Sequence, residues 1–245
     1  MKMSRWLIAG VLLVGALPRA VAQGKLAPAP PIVTGQPFTA ERTMTSYQKL
    51  ADGTTIEHRS TTFEARDSQG RWWERWEVVS DPLRREQTTR VFTSVYDPNT
   101  RTKTVWCTCN KFADVTHFGD PLPQRPERAS GAEGMDIYVG PSASSRLKYH
   151  SEELPPQTIM GVTTRGSKAV RILKAGVDGN DHDLTTTIES WYSPELRLAL
   201  ITIIDDPVNG LKKYEFTNLK RAEPDPKIFQ MPADYTLRDA PAVAR

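Results

Sequence analysis

The chain has 245 residues, 38% hydrophobic and 25% charged, with 32 Lys and Arg against 29 Asp and Glu. Its surplus cations, Lys2, Arg5 and Arg19, all lie in the first 22 residues, so the remainder is formally neutral. A neutral chain lacks the phosphate-neutralising charge that drives nucleic-acid binding, and that class is excluded.

Residues 1–22 run from basic Lys2 and Arg5 through the apolar stretch Trp6 to Leu17 to the small residues Ala20-Val21-Ala22. This is the order of a secretory signal, with Gln23 as the expected first residue of the exported form. The alternative is an uncleaved anchor, for which the apolar run is short. Position 23 is not a cysteine, which speaks against lipid attachment at the cleavage site. No later apolar run approaches the roughly 20 residues needed to span a bilayer, so the expected location is the periplasm or the medium. Residues 23–37, with Pro28, Pro30, Pro31 and Pro37, read as a disordered leader, and 239–245 as a loose tail.

Residues 38–238 are expected to form a single antiparallel β domain. Short segments rich in Thr, Val, Tyr and Trp alternate with turn chemistry: Phe38 to Lys49, Thr55 to Ala65 and Arg71 to Val79 are separated by Asp52-Gly53 and by Asp67-Ser68-Gln69-Gly70. Val91 to Tyr96 and Arg101 to Cys107 flank Asp97-Pro98-Asn99-Thr100 in the same way. Asp114 to Ser151 breaks the rhythm with Pro121, Pro123, Pro126 and Pro141, and reads as an insert or cover with short helices at most. Strands are expected again at Thr158 to Val162, Ala169 to Lys174, Leu184 to Tyr192, Arg197 to Ile204 and Leu211 to Lys220. Asn209-Gly210 is the strongest hairpin signal in the chain. Leu198 to Ile204 is apolar on both faces, so both sides need cover, by a packed loop or helix or by a ligand cavity. Trp72 and Trp76 share one face of their strand and Trp73 takes the other, either as core or as the lining of a groove.

Chemistry-bearing residues are sparse. His58, His117, His150 and His182 have no metal-ligand spacing, and no nucleophile elbow or phosphate loop is present. Asp178, Asn180, His182 and Glu189 match part of a calcium-loop template, but Asp183 stands where its glycine belongs, so an acidic hairpin turn is the better account. Cys107 and Cys109 are separated by one residue and are expected to be paired or idle, with a redox or metal role as the alternative. No catalytic residue, metal ligand or cofactor is assigned, and the protein is expected not to be an enzyme.

The second half carries more specific pieces: Glu153-Leu154, Ile159-Met160-Gly161-Val162, Glu189 to Leu196, Asp206-Pro207, and Glu223 to Tyr235 ending in Phe-x-x-Pro-x-x-Tyr. These resemble an exported protein family common in acidobacteria and, more distantly, the LolA/LolB-like periplasmic lipoprotein-sorting superfamily. The resemblance implies a mainly β fold, a strongly curved antiparallel sheet forming an open half-barrel around an apolar cavity, with the Pro-rich insert or short helices as its cover. It also implies a lipid or lipoprotein ligand on the concave face. The expected lining is Trp72, Trp76, Trp191, Leu198, Leu200 and Ile204. The alternative is an envelope protein-protein interaction module of the same fold with a filled core.

Overall fold

The computed structural model describes residues 26–79, 88–121 and 147–240. The proposed signal segment and most of the Pro-rich insert lie outside the described residues. Within them the fold is mainly β, a single open sheet of twelve strands that does not close into a barrel. The strands are β1 (Phe38–Lys49), β2 (Thr55–Arg66), β3 (Trp72–Val79), β4 (Thr89–Asp97), β5 (Thr102–Cys107), β6 (Phe112–His117), β7 (Leu147–Ile159), β8 (Val162–Leu173), β9 (Leu184–Ser193), β10 (Leu198–Asp206), β11 (Gly210–Lys220) and β12 (Thr236–Asp239). Their spatial order is β12-β6-β5-β4-β3-β2-β1-β11-β10-β9-β8-β7. Two runs of sequential hairpins are thus joined at the centre by the antiparallel β1–β11 pair. All pairings are antiparallel except that of β12, which runs parallel to β6 at one edge.

The turns explain the hairpins. Gly53, Gly70 and Gly210 all take positive φ at the positions where the sequence places Asp-Gly, Gln-Gly and Asn-Gly. At Gly210 the backbone of Tyr47 also approaches so closely that a Cβ would overlap its carbonyl oxygen.

The structure departs from expectation at both ends of the insert. Thr158 to Val162 is not one continuous strand: Thr158 and Ile159 end β7, Val162 begins β8, and Met160 (φ 49°) and Gly161 (φ 76°) turn the chain between them. Strand β7 starts at Leu147 and carries Pro155 and Pro156 within it. It tolerates them because it is the edge strand, and its register with β8 shifts between Leu154 and Gln157, so the missing N–H groups interrupt no inner ladder. Strand β6 occupies Phe112–His117, overlapping the expected insert at its start. The described part of the Pro-rich leader lies against the sheet. Pro28 bridges Gly119, Gly119 donates to the Ala27 carbonyl at 2.8 Å, and Ala29 is buried.

Two cores form on opposite faces. Phe38, Ala40, Val162, Leu196, Leu200 and Phe216 make the first, with Trp72, Ile159, Leu198 and Leu219 packed around it. Ala65, Val95, Trp106, Ala113 and Phe229 make the second. The second core is covered by the C-terminal segment, in which a 3-10 turn at Pro226–Phe229 presents Ile228 and Phe229, and Met231 and Tyr235 follow. The turn is capped by Asp225, whose side chain accepts from the Lys227 N–H, and the Tyr235 hydroxyl donates to the Cys107 carbonyl at 3.0 Å. The Phe-x-x-Pro-x-x-Tyr ending is therefore a strap across the face of β2 to β6 opposite the first core.

Candidate functional site

Cross-strand register defines the site, because residues directly opposite one another share a face. One row runs Phe38, Arg66, Trp72, Tyr96; the next runs Ala40, Glu64, Glu74, Ser94; the third runs Arg42, Thr62, Trp76, Phe92, Cys107. Phe216 pairs with Arg42 and joins the same face.

In the first row the fully buried Arg66 guanidinium lies 5.1 Å from the Phe38 ring centroid and 5.8 Å from that of Trp72. It donates from Nε to the Gln36 carbonyl at 3.0 Å and from Nη2 to the Leu196 carbonyl at 2.8 Å. Burial lowers its pKa to about 10, which still leaves it cationic at neutral pH. Leu196 sits in the β9–β10 turn, three strand positions from β2, a span of about 14 Å in a flat sheet. The direct contact therefore requires this face to curl inward and the turn to fold over it. Aromatic edges complete the row: Phe38 meets Trp72 at 5.4 Å and Phe216 at 6.4 Å, both nearly perpendicular.

The second row is polar. Glu64 is buried, and Arg42 Nε lies 2.5 Å from its Oε1 without the alignment of a hydrogen bond. Burial drives the Glu64 pKa up to about 7, opposed by Arg42 and reinforced by the neighbouring Glu74. Glu74 in turn accepts from the Ser94 hydroxyl at 3.0 Å and from Lys103 Nζ at 3.4 Å. Each carboxylate thus has its own cation, and the row is internally balanced. In the third row Trp76 and Phe92 stack at 5.5 Å with an 11° interplanar angle, both partly exposed.

The expected lining residues distribute as follows. Trp72, Leu198 and Leu200 meet in the first core, where Leu200 is wholly buried and the other two are partly exposed. Trp76 lies on the same face two rows away. Ile204 pairs with Ile188 and, by register with Lys212 and Ser46, also belongs to this face. Trp191 does not join them. It pairs with Ile201, which pairs with Glu215, opposite Thr43, and so it belongs to the reverse face, its indole N–H buried without a hydrogen-bond partner. A register irregularity between Ala199 and Ile201 sets that assignment. The doubly apolar β10 is thereby explained. Leu200 enters the first core, and Ile201 and Ile203, both half-buried, lie by register on the reverse face with Trp191. Sequence reasoning missed Phe38, Phe92, Phe216, Glu64 and Arg66; the equal lengths of β1 and β2 about Asp52-Gly53 were the signal that would have aligned Phe38 with Arg66.

No metal-binding group of three His, Cys, Asp or Glu occurs among the described residues. The loop at Asp178 to Asp183 is a self-contained turn, in which the Asn180 amide donates to the carbonyls of Lys174 and His182 and Asp183 is paired with Lys174. Cys107 and Cys109 form a disulfide at the β5–β6 turn.

No family model matches the chain, and no curated protein does. Among solved structures it is similar to MucB in complex with MucA(peri), at 14% identity over 81% of this chain and 55% of that chain, with a TM-score of 0.36. The chain thus spans about half the length of that MucB structure. It is also similar to a DUF1329 family protein from Desulfovibrio piger, at 10% identity over 80% and 90% of the two chains, TM-score 0.30. A LolA superfamily protein from Nitrosomonas europaea matches at 10% identity over 82% and 92%, TM-score 0.28. LolA-type proteins are therefore among the solved structures this chain resembles.

Proposed function

We propose that the protein is a non-enzymatic, exported binding module that holds an apolar chain, such as the acyl group of a lipid or lipoprotein, against the face carrying Phe38, Trp72 and Phe216. One observation supports this above the others: Trp72, Trp76, Phe92, Leu198 and Ile204 present partly exposed apolar surface on the same face as the first core, with the polar Glu64–Glu74 row crossing between Trp72 and Trp76. Each methylene removed from water onto such a surface contributes about 0.8 kcal/mol, so a medium-length acyl chain needs no polar anchor. The test is native mass spectrometry with organic extraction on the exported form purified from its own envelope, followed by titration with a fluorescent fatty acid. Trp76→Ser, which spares the buried core, is expected to weaken fatty-acid binding at least fivefold with the melting temperature little changed. An empty protein that takes up no fatty acid refutes the proposal.

A second reading rests on the edge strand β7, which pairs with β8 alone among the described residues and exposes His150, Ser151, Glu152 and Glu153. An extended segment of a protein partner would add there as a further strand. Protection of β8 and β7 amides on adding the partner, with the apolar face unaffected, distinguishes it.

A further inference from the structure

The one covalent device in the described chain lies outside the proposed binding face's floor. We propose that the Cys107–Cys109 disulfide is an exchange-competent redox site that accepts two electrons from a dithiol polypeptide.

Four observations carry this. The bridge closes a loop with one intervening residue, and a cross-link stabilises a fold less the shorter the loop it closes. The turn is held independently: Thr108 N–H donates to the Val91 carbonyl at 2.9 Å, Val91 N–H to Thr108 Oγ1 at 3.1 Å, Phe112 N–H to Asn110 Oδ1 at 3.0 Å, and Tyr235 to the Cys107 carbonyl. The bridge can therefore open while the fold remains. The two sulfurs are also unequal. Cys109 is exposed at the turn, whereas Cys107 is 4% exposed; each sulfur accepts one hydrogen bond, Cys107 Sγ from the Cys109 backbone N–H at 3.0 Å and Cys109 Sγ from the Asn110 amide at 3.7 Å. An incoming thiolate reaches Cys109 because it is the exposed member of the pair, and Cys107 Sγ leaves with the Cys109 N–H already donating to it. Finally, Cys107 stands opposite Phe92, which stacks on Trp76, so an apolar shelf lies beside the bridge for a residue next to the incoming cysteine.

The electrons balance in two displacements. A partner thiolate attacks Cys109 Sγ, the Cys107–Cys109 bond breaks, and its electron pair leaves on Cys107 Sγ. The partner's second thiolate then attacks the partner sulfur of the mixed disulfide and releases Cys109 as thiolate. The partner leaves with a disulfide, and Cys107 and Cys109 remain as a dithiol.

The experiment uses the oxidised exported chain in glutathione buffers of graded redox ratio, quenched with acid, alkylated and mapped by peptide mass spectrometry. Glutathione adducts at Cys109 are expected to exceed those at Cys107 at least tenfold, and Cys107→Ser should accumulate the Cys109 adduct because the returning sulfur is gone. Full reduction should leave the circular dichroism unchanged and lower the melting temperature by only about 3–6 °C. A two-cysteine peptide with Phe beside its first cysteine should be oxidised several-fold faster than its Ala counterpart. Two free thiols in the protein purified under oxidising conditions, adducts mainly at Cys107, reduction only on unfolding, or equal peptide rates would each overturn the proposal.

Discussion

Glu64 offers a direct test of how the polar row is held. Its folded pKa of about 7 stands well above the 4.5 of an unperturbed glutamate, because burial disfavours the carboxylate more than Arg42 favours it. The folded state therefore binds this proton more tightly than the unfolded state does. The associated stability is fully present below pH 4.5, is lost as the pH rises, and is gone above about pH 7. At about 1.4 kcal/mol per pH unit, the difference amounts to about 3 kcal/mol. Glu64→Gln keeps the shape and removes the charge, and Arg42, more than one-third exposed, remains hydrated. Urea unfolding of both proteins from pH 4.5 to pH 8 checks the prediction, read as the difference between their stabilities so that other carboxylates cancel. The variant should match wild type near pH 4.5 and exceed it by up to about 3 kcal/mol at pH 8. A variant less stable than wild type at pH 8 would refute the reasoning, since it would mean that the ion pair with Arg42 outweighs desolvation.

Other consequences follow from the same contacts. Arg66→Met keeps the side-chain stem but strands the carbonyls of Gln36 and Leu196, and should cost about 2–4 kcal/mol in thermal or urea unfolding; a loss under 1 kcal/mol would deny the two bonds. Phe229→Ala should cost about 3–5 kcal/mol by opening the second core, while Tyr235→Phe should cost only about 1 kcal/mol for its hydrogen bond. Gly210→Ala combines positive φ with overlap on the Tyr47 carbonyl and should cost more than about 1 kcal/mol, whereas Gly53→Ala meets open space and bears only the conformational cost.

The hairpin rhythm of β1 to β5 and of β9 to β11 was legible because Asp-Gly and Asn-Gly turns and alternating apolar residues act locally. The β7–β8 tip was not, since Gly161 is its one typical turn residue and Met160, which also takes positive φ, is not a residue that favours it. Pro155-Pro156 sits within β7 only because β7 is the edge strand, a position that sequence alone does not reveal. The site was half legible. Alternation within β3 correctly separated Trp72 and Trp76 from Trp73, which packs in the second core. Register between strands lies beyond alternation, and so Trp191 fell on the wrong side. Glu64-Ala65-Arg66 looks in sequence like a solvent-facing strand end, and only pairing with β1 and β3 places both charges in the interior.

The central β1–β11 pairing also fixes when the molecule can finish folding. Its contacts run from Tyr47–Leu211 to Thr39–Lys220, among the most distant in the chain, and loop closure of that length is slow. A chain emerging amino end first, from the ribosome or through a membrane pore, can form β2 to β6 as successive hairpins. It must hold the free edge of β1, with Phe38 and Met44, unpaired until the last fifth of the polypeptide arrives. That interval is when a strand-pairing chaperone or a misplaced second copy of the chain has its opportunity, and it closes only when β11 docks and the Phe229–Tyr235 strap crosses the opposite face.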